Sequence, residues 1–175
     1  MTSEPKKFST RSALAFVLPA EHQAVIQSIR RANDKAFVRW PPHINFLFPF
    51  IFEEDLAAQV ARVRDALARV APFTAVLDTV GTFSHGKGAF TVWLGPQDAQ
   101  PFEAIYRAVA PLFPQLGSAA REQFVPHLTL GQCRSAEAAA AASAEFKRLI
   151  GTVTCRVDAV QVLVRDADTP FAPLY

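Results

Sequence analysis

Cysteine is scarce. Cys133 and Cys155 are the two in a chain of 175 residues, too few for a disulfide framework or a thiolate zinc site. A reducing, cytoplasmic setting is the expectation. Excess charge is also small: 18 Lys and Arg against 16 Asp and Glu leave a formal net charge of +2. Affinity for duplex DNA rests on many phosphate contacts, so such a balance argues against a DNA-coating role and fits a small anionic substrate. The basic pairs Lys6-Lys7 and Arg30-Arg31 read as solvated surface. Long apolar runs are missing too. The opening MTSEPKKFSTRSALAFVLPAEH holds an apolar run of about six residues, too short for a secretory core or a membrane span, and no other segment reaches spanning length. No membrane role is expected, and residues 1–10 read as a loose tail. Finally, no carboxylate cluster stands ready to hold a metal.

What the chain does have is apolar content. Half of its residues are hydrophobic, enough to build a core in one domain over 11–175. Along it, period-2 segments rich in Val, Phe and Leu alternate with Ala- and charge-rich segments of helical period. The first block reads strand (SALAFVLP), helix (AEHQAVIQSIRRAND), extended segment (KAFVRWPPHINFLFPF), helix (EEDLAAQVARVRDALARV) and strand (FTAVLDTVGTF). Three acids in the first turn of that second helix suit its dipole. The second block repeats the order with AFTVWLGP, DAQPFEAIYRAVAPLF, EQFVPHLTLGQ, SAEAAAAASAEFKRLI, where Ser135 is the N-cap, and a closing strand VTCRVDAVQVLVRD. SHGKG between the blocks has hairpin chemistry. The expectation is a bilobal, pseudo-twofold duplication of a β-α-β-α-β unit, with lobes at 11–86 and 87–175.

One triplet recurs in the repeat. His43-Ile44-Asn45 and His127-Leu128-Thr129 each follow a proline, and the histidines stand 84 residues apart. In a strand, residues i and i+2 share a face about 7 Å apart. Each block therefore sets an imidazole beside a hydrogen-bonding side chain, with Ile44 and Phe46, or Leu128 and Leu130, turned to the core. A pseudo-twofold axis would bring the two pairs together across a groove. Two imidazoles flanking one anionic centre suit in-line attack at phosphorus, one taking a proton and the other giving one, each transfer being worth about 10² to 10⁴-fold. A histidine pKa near 6.5 allows both states around neutral pH. Asn45 and Thr129 can donate to the phosphoryl oxygens. A lone strand histidine is usually structural, but packing requires no matched pair.

The two motifs, PHINFLF and PHLTLGQ, resemble the paired H-x-[ST]-hydrophobic motifs of the 2H phosphoesterase superfamily, the 2′-5′ RNA ligase-like proteins, and the resemblance runs from about Ser12 to Leu174. It implies an α+β fold with two antiparallel sheets around a central groove and helices outside. It also implies cofactor-free, metal-independent action on 2′,3′-cyclic phosphates or 2′-5′-linked phosphodiesters of an RNA end or small nucleotide, with 2′-5′ ligation and RNA processing as family roles; separately, a monomer is expected. Carried over, His43 and His127 are the catalytic pair, drawn as acid and base respectively, with Asn45 and Thr129 orienting the phosphate. Asn45 stands where the family mostly has Thr or Ser. That departure keeps a rival in view: a non-catalytic nucleotide or RNA-end binding module on the same scaffold.

Further candidates surround the motifs. Phe83 and Phe124 are the expected nucleobase platform, ahead of Trp40 and Tyr175. Arg165 and Arg39, on extended segments, are candidate phosphate contacts. His85 and Lys87 in the Gly-rich turn read as exposed residues within reach of substrate.

Overall fold

The computed structural model describes residues 8–116 and 123–175. In chain order its elements are β1 (Ser12–Val17), α1 (Gln23–Asn33), β2 (His43–Leu47), α2 (Glu53–Leu67), β3 (Phe73–Ser84), β4 (Phe90–Pro96), α3 (Gln100–Val109), β5 (Leu128–Cys133), α4 (Ala136–Ile150), β6 (Val153–Val157), β7 (Gln161–Val164) and β8 (Ala172–Pro173). Through β6 this is the expected β-α-β-α-β order, twice. The closing segment differs: Asp158 to Val160 interrupt it, and β6 and β7 enter different sheets.

Two antiparallel four-stranded sheets result, ordered β2-β1-β7-β8 and β5-β4-β3-β6. The pairs β1–β2 and β4–β5 are equivalent, but each gains its third strand from the other half of the sequence. β3 crosses to lie beside β4, and β7 returns to lie beside β1. The sheets therefore do not divide at the hairpin between 86 and 87. That hairpin is SHGKG, closed by His85 N–H to Ala89 O (2.9 Å), with Gly86, Lys87 and Gly88 all at positive φ.

Burial follows position. β1 is central and buried along nearly its whole length, whereas β6, at a sheet edge, alternates buried and exposed. α3 places Phe102, Ile105, Tyr106 and Val109 on one buried stripe, the i, i+3, i+4, i+7 spacing of an amphipathic helix. One core joins Leu14, Phe16, Ile44 and Phe46 of the first sheet to Leu77, Val92, Leu94 and Leu130 of the second. Among the described residues no helix is long and apolar enough to cross a membrane.

Ser135 caps α4 as expected, its Oγ accepting from Ala138 N–H at 3.1 Å. Ser135→Ala should cost about 1 kcal/mol, read as a lowered urea midpoint at unchanged m-value.

Three expectations need correction. Residues 35–39 form turns, not an extended strand, because the Asp34 carboxylate accepts from Ala36 N–H (2.9 Å) and its carbonyl from Phe37 N–H (3.0 Å). Arg30 is not solvated: it is 2% exposed, while Arg31 is exposed. The loose tail does not extend to residue 10, because Ser9 exchanges two backbone hydrogen bonds with Phe50; residues 1–7 lie outside the described residues. Lys6-Lys7 and Glu122, which opens EQFVPHLTLGQ, lie outside the described residues.

Candidate functional site

β2 and β5 are each at one edge of their sheets, and they face each other across a groove. One cavity in it is lined by Arg30, Asp34, Trp40, His43 and Asn45 from one side and by Thr129 and Gln132 from the other. An adjoining cavity is lined by Phe46, Phe83, Phe124, Val125 and His127, and Asn45 and Phe48 border both. The expected alternation holds in each motif: Ile44, Phe46, Leu128 and Leu130 are buried, while His43, Asn45, His127 and Thr129 stay partly open to the groove.

The two imidazoles are held in the same way. His43 Nδ1–H donates to the carbonyl of Pro41 at 2.7 Å, and His127 Nδ1–H to that of Val125 at 2.8 Å. In both cases the acceptor lies two residues earlier, in the extended segment that the preceding proline enforces. With Nδ1 carrying the proton, Nε2 is left as the basic nitrogen. His43 Nε2 accepts from Asn45 Nδ2–H at 2.8 Å, and the Asn45 Oδ1 is buried without a hydrogen bond.

Each ring also lies against a tryptophan set on small residues. Trp40 stacks on His43 (centroids 4.5 Å, 18°) and packs with Ala13 and Ala15. Trp93 meets His127 edge-on at 6.4 Å, and its indole lies across Gly81 and Gly95, where an added Cβ would come within 2.2 and 2.8 Å of the ring. Trp40, Ala13, Ala15, Gly81, Gly95 and Trp93 thus form two matched beds for the histidines. Phe83 adds a second edge contact to His127 at 4.8 Å.

Behind His43 sits a buried ion pair. Arg30 Nε and Nη2 bind Asp34 Oδ2 at 3.0 and 2.8 Å, with side chains 2% and 1% exposed. Arg30 further binds Gln27 Oε1 and the Trp40 carbonyl. Gln132, at the end of β5, donates to Asp34 Oδ1 (3.1 Å) and accepts from Lys35 N–H (3.0 Å). This links the strand that follows His127 to the turn that precedes His43.

Burial is the main cause that pushes the His43 pKa down from 6.5 to about 4; the Pro41 hydrogen bond opposes it, Arg30 and His127 lower it further, and Asp34 raises it. With this pKa His43 is neutral at neutral pH. The unfolded chain takes up this proton below 6.5 and the folded chain only near 4. The stabilisation is thus complete above 6.5 and is lost as pH falls through that window, on the order of 3 kcal/mol. Urea unfolding should show wild type losing more stability between about pH 7 and pH 4 than His43→Gln, which has nothing to titrate there.

The remaining candidates divide. Phe83 and Phe124 line the His127 cavity, Phe124 stacked on Tyr106 at 4.5 Å. Arg165 lines neither cavity: its guanidinium binds the Ala167 carbonyl and lies 5.6 Å from the Phe171 centroid, with Phe171 stacked on Trp40 at 3.7 Å. It supports the Trp40 stack from behind and does not reach the groove. Arg39 lines neither cavity and gives its carbonyl to Phe171 N–H. Trp40 is committed to His43, and Tyr175 is exposed at the sheet edge, where its carbonyl accepts from Val162 N–H. Sequence reasoning missed Trp93, Gln132 and the Arg30–Asp34 pair. The i, i+4 spacing of that pair in the last helical turn was the available signal.

With this geometry in place, comparison with known proteins places the chain in a family. A family model described as the 2′-5′ RNA ligase superfamily matches residues 18–169, and the chain belongs to that superfamily, the 2H phosphoesterases. It is similar to an RNA 2′,3′-cyclic phosphodiesterase of Methanothermobacter thermautotrophicus, 28% identical over 164 residues that cover 89% of this chain and 87% of that one. Its fold is similar to that of LigT from E. coli in complex with 3′-AMP (TM-score 0.64, 19% identity, covering 97% and 96% of the two chains). TT0787 of Thermus thermophilus shares the fold at TM-score 0.56 and 19% identity, over 94% and 95%.

Proposed function

We propose that the protein is a metal-independent phosphodiesterase that opens 2′,3′-cyclic phosphates or 2′-5′-linked phosphodiesters at an RNA end or small nucleotide. One observation carries the reading: two imidazoles, tethered identically through Nδ1, line adjoining parts of one groove from opposite sheets. Membership in the superfamily and the relative named RNA 2′,3′-cyclic phosphodiesterase support the substrate class. So do structural neighbours crystallised with 3′-AMP and with phosphate.

In this mechanism the phosphodiester anion binds between the rings, steadied by Thr129 Oγ1 and the Asn45 amide. Its charge favours a proton on His43, against the burial that lowers the pKa of that ring. His127 Nε2 takes a proton from water as the water oxygen bonds to phosphorus. The ribose oxygen leaves and receives the proton of His43, giving a phosphomonoester beside a free hydroxyl. Because the ribose 2′-oxygen is needed, RNA chemistry is expected.

The Asn45 amide on His43 Nε2 favours a second reading, in which the groove binds RNA ends without turning them over. Incubation with a 2′,3′-cyclic mononucleotide in EDTA separates the two. Phosphomonoester formation supports the enzyme; saturable binding with no product supports the module.

A further inference from the structure

Beyond the histidine cavities, a third open groove runs along the tip of the β3–β4 hairpin, lined among others by Lys35, His85, Lys87, Thr91, Gln132 and Arg134. We propose that this groove is the path of an RNA strand leading away from the phosphate at the histidines, so that the preferred substrate is an oligonucleotide end and not a free mononucleotide. The proposal rests on the phosphodiesterase reading above.

Three observations carry it. First, the charge is of one sign. Lys35, Lys87 and Arg134 come from three separate segments, no Asp or Glu lines the groove, and among the described residues none of the three makes an ion pair. Converging unpaired cations repel one another, and a chain of phosphates relieves that repulsion. Second, the backbone presents them. Gly86, Lys87 and Gly88, with φ of 77°, 52° and 74°, turn Lys87 out at the tip, and Gly88 sits so close to Arg134 that a Cβ would meet its carbonyl oxygen at 3.1 Å. Third, the groove is continuous with the site, because Gln132 lines both it and the His43 cavity.

The three spaces then match the parts of an RNA end. The aromatic cavity of Phe83 and Phe124 takes the terminal base, the histidines take the terminal phosphodiester, and the basic groove takes the backbone on the 5′ side. An acidic peptide would satisfy the cations but would have no reason to continue into a phosphate site.

The test compares a 2′,3′-cyclic mononucleotide with a short RNA ending in the same cyclic phosphate, using the full chain in EDTA over roughly 50 to 200 mM salt. Each single-strand phosphate contact contributes a slope of about −0.7 in log K against log salt, so three contacts should steepen the oligonucleotide's dependence by about 2. Lys87→Asn (asparagine tolerates positive φ) or Arg134→Gln should each weaken the oligonucleotide about fivefold at 0.1 M salt and leave the mononucleotide unchanged. Equal efficiency and equal salt slopes for both substrates would overturn the proposal. So would charge variants that slow both alike. If neither substrate is turned over, the phosphodiesterase reading fails on its own. Fluorescence anisotropy with an RNA ending in a 3′-phosphate still reads the groove: loss of binding in Lys87→Asn supports it. An unchanged affinity, or an acidic peptide bound as tightly, overturns it.

Discussion

Replacing either His43 or His127 by alanine should lower kcat on a 2′,3′-cyclic phosphate by about 10² to 10⁴-fold, the range that one positioned proton transfer supplies. KM should move far less if, as proposed, Asn45, Thr129 and the aromatic cavity hold the ligand. The double variant should be little worse than the poorer single one, since two groups acting in one transition state are not additive. Steady-state kinetics in EDTA check all three expectations. A single variant that kept activity within tenfold of wild type would remove that histidine from the chemistry. The symmetry of the tethers makes the experiment sharp. Both imidazoles are tethered through Nδ1 to a carbonyl two residues earlier, so a large effect at one and none at the other would contradict the shared role.

The second large effect is on stability. Asp34→Ala leaves the Arg30 guanidinium buried without its counter-charge, in a site where its other partners are the neutral Gln27 amide and the Trp40 carbonyl. Breaking one side of a buried pair costs about 3–5 kcal/mol. The same change frees Gln132 and the Ala36 N–H, so the turn over 35–39 should loosen as well. Urea unfolding of Asp34→Ala measures the loss. Replacing both partners with apolar residues of similar volume, as in Arg30→Met with Asp34→Leu, should recover the part due to the uncompensated guanidinium, but not the part due to the Ala36 N–H and Gln132. A loss below about 1 kcal/mol for Asp34→Ala would mean that water reaches the guanidinium and that the pair does not brace the groove.

Much of this was legible in the sequence where a local rule applied. The apolar periods, the Ser135 cap and the Gly-rich hairpin each depend on a few neighbouring residues, and they appear in the structure where they were expected. The His-x-polar alternation also needs nothing but a strand. What was not legible depends on residues far apart in the chain. That β3 and β7 change places between sheets is decided by pairing between distant segments. The apolar pattern of FTAVLDTVGTF is the same beside either neighbour. Arg30 reads as surface until Asp34, Trp40 and Gln132 close around it, and Arg165 as a groove residue until Phe171 turns its guanidinium aside. The tryptophan beds were hidden for the same reason: Gly81 and Gly95 show their purpose only when the Trp93 ring lies across them.

The proposed chemistry depends on both rings gripping a single phosphate. Histidine side-chain NMR during titration with inorganic phosphate measures this directly. His43 and His127 should shift together with one shared dissociation constant, and the His43 pKa should rise from about 4 toward neutrality as the anion binds. Resonances that saturate at different phosphate concentrations, or a His43 signal indifferent to phosphate, would contradict it.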